Sequence, residues 1–218
     1  LNRDLSEYDI FIRNNNALQL IRRMEASSDR KMDDVVYPRN VFGISSDVRG
    51  QDNKDEKHQL ALFSSQKSNS MAMSYISGDE VQKQHELIGK YKVIMGKVVP
   101  RGGEVGVDPS VGYRVTSTLQ VLSPGSVFTD SYLLLAAFES KAEAIHFAEY
   151  MCLRFPRFLL HETYSSMNIS KQNFRFVPFL DYSKEWTDEE LFKRYGCNEE
   201  EISMIESIIR PMEYVFHE

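Results

Sequence analysis

The sequence predicts an α+β (mixed α/β) fold: a single domain with a central mixed β-sheet, flanking helices and a C-terminal helical hairpin. Three observations lead there. Short apolar runs of strand-like composition, "LALF", "KVIM" and "YLLLAAF", recur between turn-forming stretches. Helix-start signatures stand at Ser140 with Glu143 and at Thr187 with Glu190, the Ser/Thr-x-x-Glu spacing that satisfies two orphan amides at once. With 218 residues, 42% of them hydrophobic and 27% charged, the chain can bury one continuous core.

Taken in order, residues 14–26 (NNNALQLIRRMEA) form a helix with Leu18, Ile21 and Met24 as its buried stripe, and residues 1–34 read as an N-terminal helical linker. Residues 27–34 are a polar loop, and 51–59 (QDNKDEKHQ) is charged and exposed. "LALFSSQKSNSMAMSYI" is two short strands around a polar turn, and "KYKVIMGKVV" is the central strand. "PRGGEVGVDPSVGY" is a long exposed loop, because its glycines and prolines favour neither periodic structure. Strands follow at Tyr113–Val121 and Ser131–Phe138. The helix opened by Ser140 buries Ala144, Phe147, Ala148 and Met151, then Arg154-Phe155-Pro156 stops or kinks it. Phe158–Tyr164 continues as an apolar segment, and Phe174–Phe179 is a last strand.

The tail, residues 185–218, is the best-signalled part. Thr187 caps its first helix, Asp188 and Glu189 sit where the helix dipole favours anions, and Lys193 and Arg194 occupy the opposite end. Gly196 supplies a left-handed closing residue. Asn198 caps a second helix whose stripe is Ile202, Ile205, Ile208 and Ile209, with Pro211 beyond it.

No apolar run reaches membrane-spanning length, and no secretory signal opens the chain. Cys152 and Cys197 lack metal-site spacing and are expected to be reduced thiols of a cytoplasmic protein. Five histidines without a close pair lead to the expectation of no metal centre. Leu at position 1 suggests a piece of a longer polypeptide. The net charge of −6 is unevenly spread: residues 185–218 hold 10 acids and 3 bases, residues 83–184 hold 12 bases and 9 acids. A mildly basic centre permits DNA contact without requiring it.

"VPRGGEVG" lacks the Gly-Lys-Ser/Thr ending of a phosphate loop and the three-glycine dinucleotide fingerprint. Its glycine pair would let Arg101 and Glu104 enter a DNA groove, arginine toward guanine and glutamate toward a cytosine amino group; an ordinary surface loop fits it equally. Asp130, Glu139 and Lys141 echo a nuclease pattern. Nine residues of strand at ~3.3 Å each would hold the two carboxylates roughly 30 Å apart, too far to share a metal. Ser64, Ser65, Ser70 and Ser74 have no partner histidine in a nucleophile motif, and His58, His85 and His146 read as surface residues. Trp186 reads as a buried hinge in preference to a base-stacking platform. Lys97, Arg114, Lys171 and Arg175 stand near Tyr91, Phe174 and Tyr182, an interleaving suited to holding phosphates.

The tail also carries a family signature. Phe176-Val177-Pro178, Asp181-Tyr182-Ser183-Lys184, Trp186-Thr187-Asp188, Tyr195-Gly196 and Ile209-Arg210-Pro211-Met212 follow one another in a fixed order. This resembles the C-terminal target-recognition region of adenine-specific DNA methyltransferases of restriction–modification systems, including enzymes that combine modification with restriction. The similarity runs more loosely from Pro38 to Met212, through Val41-Phe42-Gly43-Ile44, Lys90–Lys97, "RGGEVG" and "FTDSYLLLAAFESKAEA". Asp130-Ser131 stands where the family has Glu-Thr.

The resemblance implies a DNA target-recognition module, with Lys97, Arg101, Glu104, Arg114, Lys171 and Arg175 as its DNA-binding residues. The implied partners are double-stranded DNA and a methyltransferase catalytic domain in cis, with no membrane. Neither an Asn/Asp-Pro-Pro-Tyr/Phe motif nor a Phe-x-Gly-x-Gly loop occurs here. The chain is therefore expected to have no catalytic residues and no cofactor of its own, S-adenosylmethionine belonging to the missing catalytic domain. The rival reading is a structural or subunit-interaction domain that does not touch DNA.

Overall fold

β3 (Tyr91–Gly96) is the axis of the architecture. The computed structural model describes residues 7–65, 74–99 and 111–214. β3 pairs antiparallel with β4 (Leu119–Leu122) on one side and β6 (Tyr132–Phe138) on the other. Its side chains alternate between two separate cores, as a strand buried on both faces must. Val93 and Met95 join Leu133 and Leu135 in the larger core, whereas Ile94 joins Tyr132 and Leu134 in the smaller. The pairing passes from Val93–Ala136 to Ile94–Leu134, so β6 bulges at Leu135.

The smaller core is closed by a second sheet of order β2-β1-β5. β1 (Leu60–Phe63) pairs antiparallel with β2 (Ser74–Ile76) and parallel with β5 (Ser126–Phe128). The larger core is covered by helices. α1 (Leu18–Ala26) contributes Leu20, Ile21 and Met24, with Leu18 half-buried, so it is built into the core and does not stand off as a linker. α2 (Lys141–Tyr150) buries Ala144, Phe147 and Ala148 under the Ser140 cap, and α3 (Arg154–Glu162) follows it directly.

The break between α2 and α3 shows how one proline is accommodated. Pro156 sits in the first turn of α3, where a missing N–H costs little. The Cys152 carbonyl, four residues earlier, would look to that absent N–H. Arg157 Nε donates to it instead at 2.9 Å, and to Leu153 O at 3.1 Å. The same fully buried guanidinium reaches Arg114 O at 3.1 Å and Arg210 O at 2.8 Å, fastening both segments to α3. The Asp188 carboxylate accepts from the amides of Arg154 and Phe155 at 3.0 and 2.8 Å. An acid of the tail thus caps α3.

The tail forms the expected hairpin, α4 (Asp188–Arg194) and α5 (Glu199–Ile208), with capping boxes at Thr187/Glu190 and Asn198/Glu201 and Gly196 at φ +60°. It packs on α3 through Phe155, whose ring stacks on Tyr195 at 5.2 Å. Ion pairs pin it to the N-terminal segment, Arg23 with Glu201 and Arg194 with Asp29, both at 2.6 Å. Trp186 is half-buried at the entry, donating to Asp181 O at 2.8 Å, with the Lys184 ammonium 3.9 Å above its ring. The burial expected of it is therefore only partial.

Three expectations need correction. One central sheet becomes two three-stranded sheets, the β4-β3-β6 sheet wholly antiparallel. Phe174–Phe179 is no strand: a 3-10 turn (Lys171–Phe174) runs into a single bridge between Pro178 and Lys31. Phe174, Phe176 and Val177 are all fully buried, so burial there does not alternate, and the Asn173 side chain, bonded to Thr163, holds the turn. The strand expected over Tyr113–Val121 is confined to Leu119–Leu122, because Val115 lies at φ +71°, where no strand can run. Residues 79–87 form two 3-10 turns, Gly78–Glu80 and His85–Leu87. No helix among the described residues is long and apolar enough to cross a membrane.

Candidate nucleic-acid interface

A cleft of about 450 Å³ opens where β3 ends and β6 begins, lined by Arg39, Lys97, Ser117, Asp130, Ser131 and Asn168 among others. Backbone pairing builds it. Gly96 N–H donates to Thr118 O at 2.8 Å, Lys97 N–H to Ser131 O at 3.2 Å, and Ile169 N–H to Lys97 O at 2.7 Å. An added Cβ at Gly96 would lie 2.5 Å from Ser117 Oγ, which donates to the Gly96 carbonyl, so a larger residue there would displace that hydroxyl. Val115, two residues before Ser117, is the centre of a γ-turn in which Thr116 N–H donates to Arg114 O at 2.9 Å. A β-branched residue at positive φ is strained, and Tyr164 OH helps hold it by donating to Val115 O at 3.1 Å.

Asp130 is the electrostatic centre. Its Oδ2 accepts from Lys97 Nζ at 2.9 Å and from Arg39 at 3.1 Å. Burial alone would raise this carboxyl. The Lys97 bond and charge, then those of Arg39, outweigh burial and hold it below the usual range. Its Oδ1, with Asn40 Oδ1 and Thr129 Oγ1 next to the wall residues Arg39 and Asp130, is buried with no hydrogen-bond partner among the described residues. Arg39 is 65% exposed at the rim, whereas the Lys97 side chain is 13% exposed beneath it. Val98 and Met167, on paired segments beside the cleft, are both more than half exposed.

Of the described residues expected to contact DNA, only Lys97 lies in this cleft. Arg101 and Glu104 lie outside the described residues. Arg114 is half-buried beside the strained turn, its carbonyl held by Arg157. Arg175 serves the fold: it pairs with Glu25 at 2.6 Å and lies 5.6 Å from the Phe176 ring centre. Lys171 lines a different depression with Arg30, Tyr37 and Phe138. The four described candidates therefore do not form one surface. Arg39 and Asp130 were not anticipated as a pair, because they are 91 residues apart in the chain.

The nuclease-like pattern dissolves as its geometry predicts: Asp130 and Glu139 flank opposite ends of β6, and Glu139 pairs with Lys90 at 3.0 Å. A second polar group, at the end of α3, is self-contained. Glu162, fully buried, accepts from Asn14 N–H at 2.7 Å and lies 3.2 Å from His161 Nδ1, while Arg13 meets the other ring nitrogen at 3.3 Å. These groups satisfy one another and latch the N-terminal segment to α3. Compared with family models and with curated proteins, the chain gives no match.

Proposed function

We propose that this chain is a DNA target-recognition module serving an adenine-specific methyltransferase of a restriction–modification system, and that it reads duplex DNA without modifying it. The observation that carries the reading is the Asp130 cleft. It sets the partly exposed Asp130 carboxylate beside the rim arginine Arg39, serine and asparagine side chains and two exposed apolar residues. A carboxylate accepts from a cytosine amino group, arginine donates to guanine or phosphate, and apolar side chains meet a thymine methyl. The tail signature adds the family context, and the methylating chemistry with its S-adenosylmethionine would reside in a separate catalytic domain. Arg101 and Glu104, the loop candidates for base reading, follow Val98 in the sequence and lie outside the described residues.

The test is selection of duplexes from a randomised pool by the full chain at low salt, with titrations at rising salt. Binding should weaken linearly in log–log form as counterions are displaced. Asp130→Asn should alter preference at one base pair by ~1–3 kcal/mol and leave the others alone. Absence of salt-dependent duplex binding would favour the subunit-interaction reading. Duplex binding with a preference indifferent to Asp130→Asn would remove the cleft as the reader.

A further inference from the structure

We propose that His146, Glu149 and Glu185 form a binding site for a divalent metal ion of the zinc class, joining α2 to the segment that leads into the tail hairpin. One ligand atom from each of the three lies within 4.8 Å of the others. His146 and Glu149 are three residues apart on α2 and so share one helix face, and Glu185 comes to them from just before Trp186.

The imidazole is already set for ligation. His146 Nδ1 lies 3.0 Å from the Tyr182 carbonyl, which can only accept, so Nδ1 carries the proton and Nε2 presents a lone pair. A backbone carbonyl that fixes the tautomer is the usual support of a metal-bound histidine. Nε2 lies 3.9 Å from Glu185 Oε1, beyond hydrogen-bond reach, so the carboxylate has not claimed it. Donors bound at ~2.1 Å around a tetrahedral ion stand roughly 3.4 Å apart, so closure asks for about 1 Å of movement. Glu185, 77% exposed, is free to make it.

Charge points the same way. No lysine or arginine pairs with Glu149 or Glu185 among the described residues, so the two acids face the imidazole without a competing side-chain cation. One nitrogen and two oxygens suit zinc, whose fourth position would remain open to water. The site is independent of the DNA-reading proposal.

The experiment is calorimetric titration of the metal-free chain with zinc chloride, beside the His146→Ala and Glu185→Gln variants and a magnesium titration. Expected is one saturable zinc equivalent, a rise in melting temperature on loading, at least a tenfold loss of affinity in each variant, and much weaker magnesium binding. Glu185→Gln changes an exposed side chain and so keeps the test independent of folding. Absence of saturable zinc binding at millimolar metal overturns the proposal. So does wild-type affinity in either variant, which would place the metal elsewhere, for example at His58 with Asp55.

Discussion

Truncating Arg157 to alanine tests whether a buried cation bonded to four carbonyls helps hold this fold together. Four carbonyl oxygens surround the buried guanidinium. Two keep another donor: Arg114 O retains the Thr116 amide, and Leu153 O lies one helical turn before the Arg157 amide. Cys152 O and Arg210 O would be left bare, the first because Pro156 has no N–H to offer. An unsatisfied buried carbonyl costs ~1–3 kcal/mol, so the pair costs about 2–6 kcal/mol. The cavity left by the lost side chain adds about 2 kcal/mol. Against this stands the relief of a buried charge. Burial pushes the guanidinium down to about 10, and at about 1.4 kcal/mol per pH unit the relief is about 3 kcal/mol. The balance is a destabilisation of about 3 kcal/mol, or a melting temperature lower by ~6–12 °C for a chain of this size. Denaturant unfolding followed by circular dichroism measures it. Arg157→Met keeps most of the volume, so the gap between the two variants isolates the cavity. Arg157→Ala with a wild-type unfolding midpoint would show that the carbonyl clamp contributes nothing.

The other expectations concern the buried lysine and the tail. Lys92 is fully buried, with Nζ donating to the carbonyls of Leu87, Ile88, Lys90 and Ser123, and burial lowers it to about 8. The folded chain then releases this proton before the unfolded chain does, so the unfolded state holds more protons and stability rises with pH from about 8 toward ~10.4. The stability of wild type relative to Lys92→Met should therefore grow by about 2 kcal/mol between pH 7 and 9.5, and a flat difference would contradict the burial of the ammonium. Ile205→Asp places an unpaired charge at a fully buried position of α5 and should cost more than ~3 kcal/mol. An unchanged melting temperature would mean that the hairpin does not pack as described.

The tail hairpin was legible from the sequence in detail because its determinants are local. Thr187 bonds Glu190, Asn198 bonds Glu201, and Gly196 turns the chain, each within three or four residues. β3 and β6 were legible for a related reason, since a run buried on both faces is apolar whatever it packs against. What only the tertiary structure decided is the partnership of distant residues. Asp188 reads as a first-turn acid of its own helix, yet its carboxylate caps α3, 33 and 34 residues earlier. Phe174–Phe179 has the composition of a strand, but no neighbouring backbone offers more than one bridge, so it settles as a turn. Asp130 meets Arg39 and Lys97, and Glu185 meets His146, only because β3, β6 and α2 bring them together. Short-range hydrogen bonds are written into residue spacing, whereas burial and ion pairing across the core depend on which surfaces meet, and spacing along the chain does not encode that.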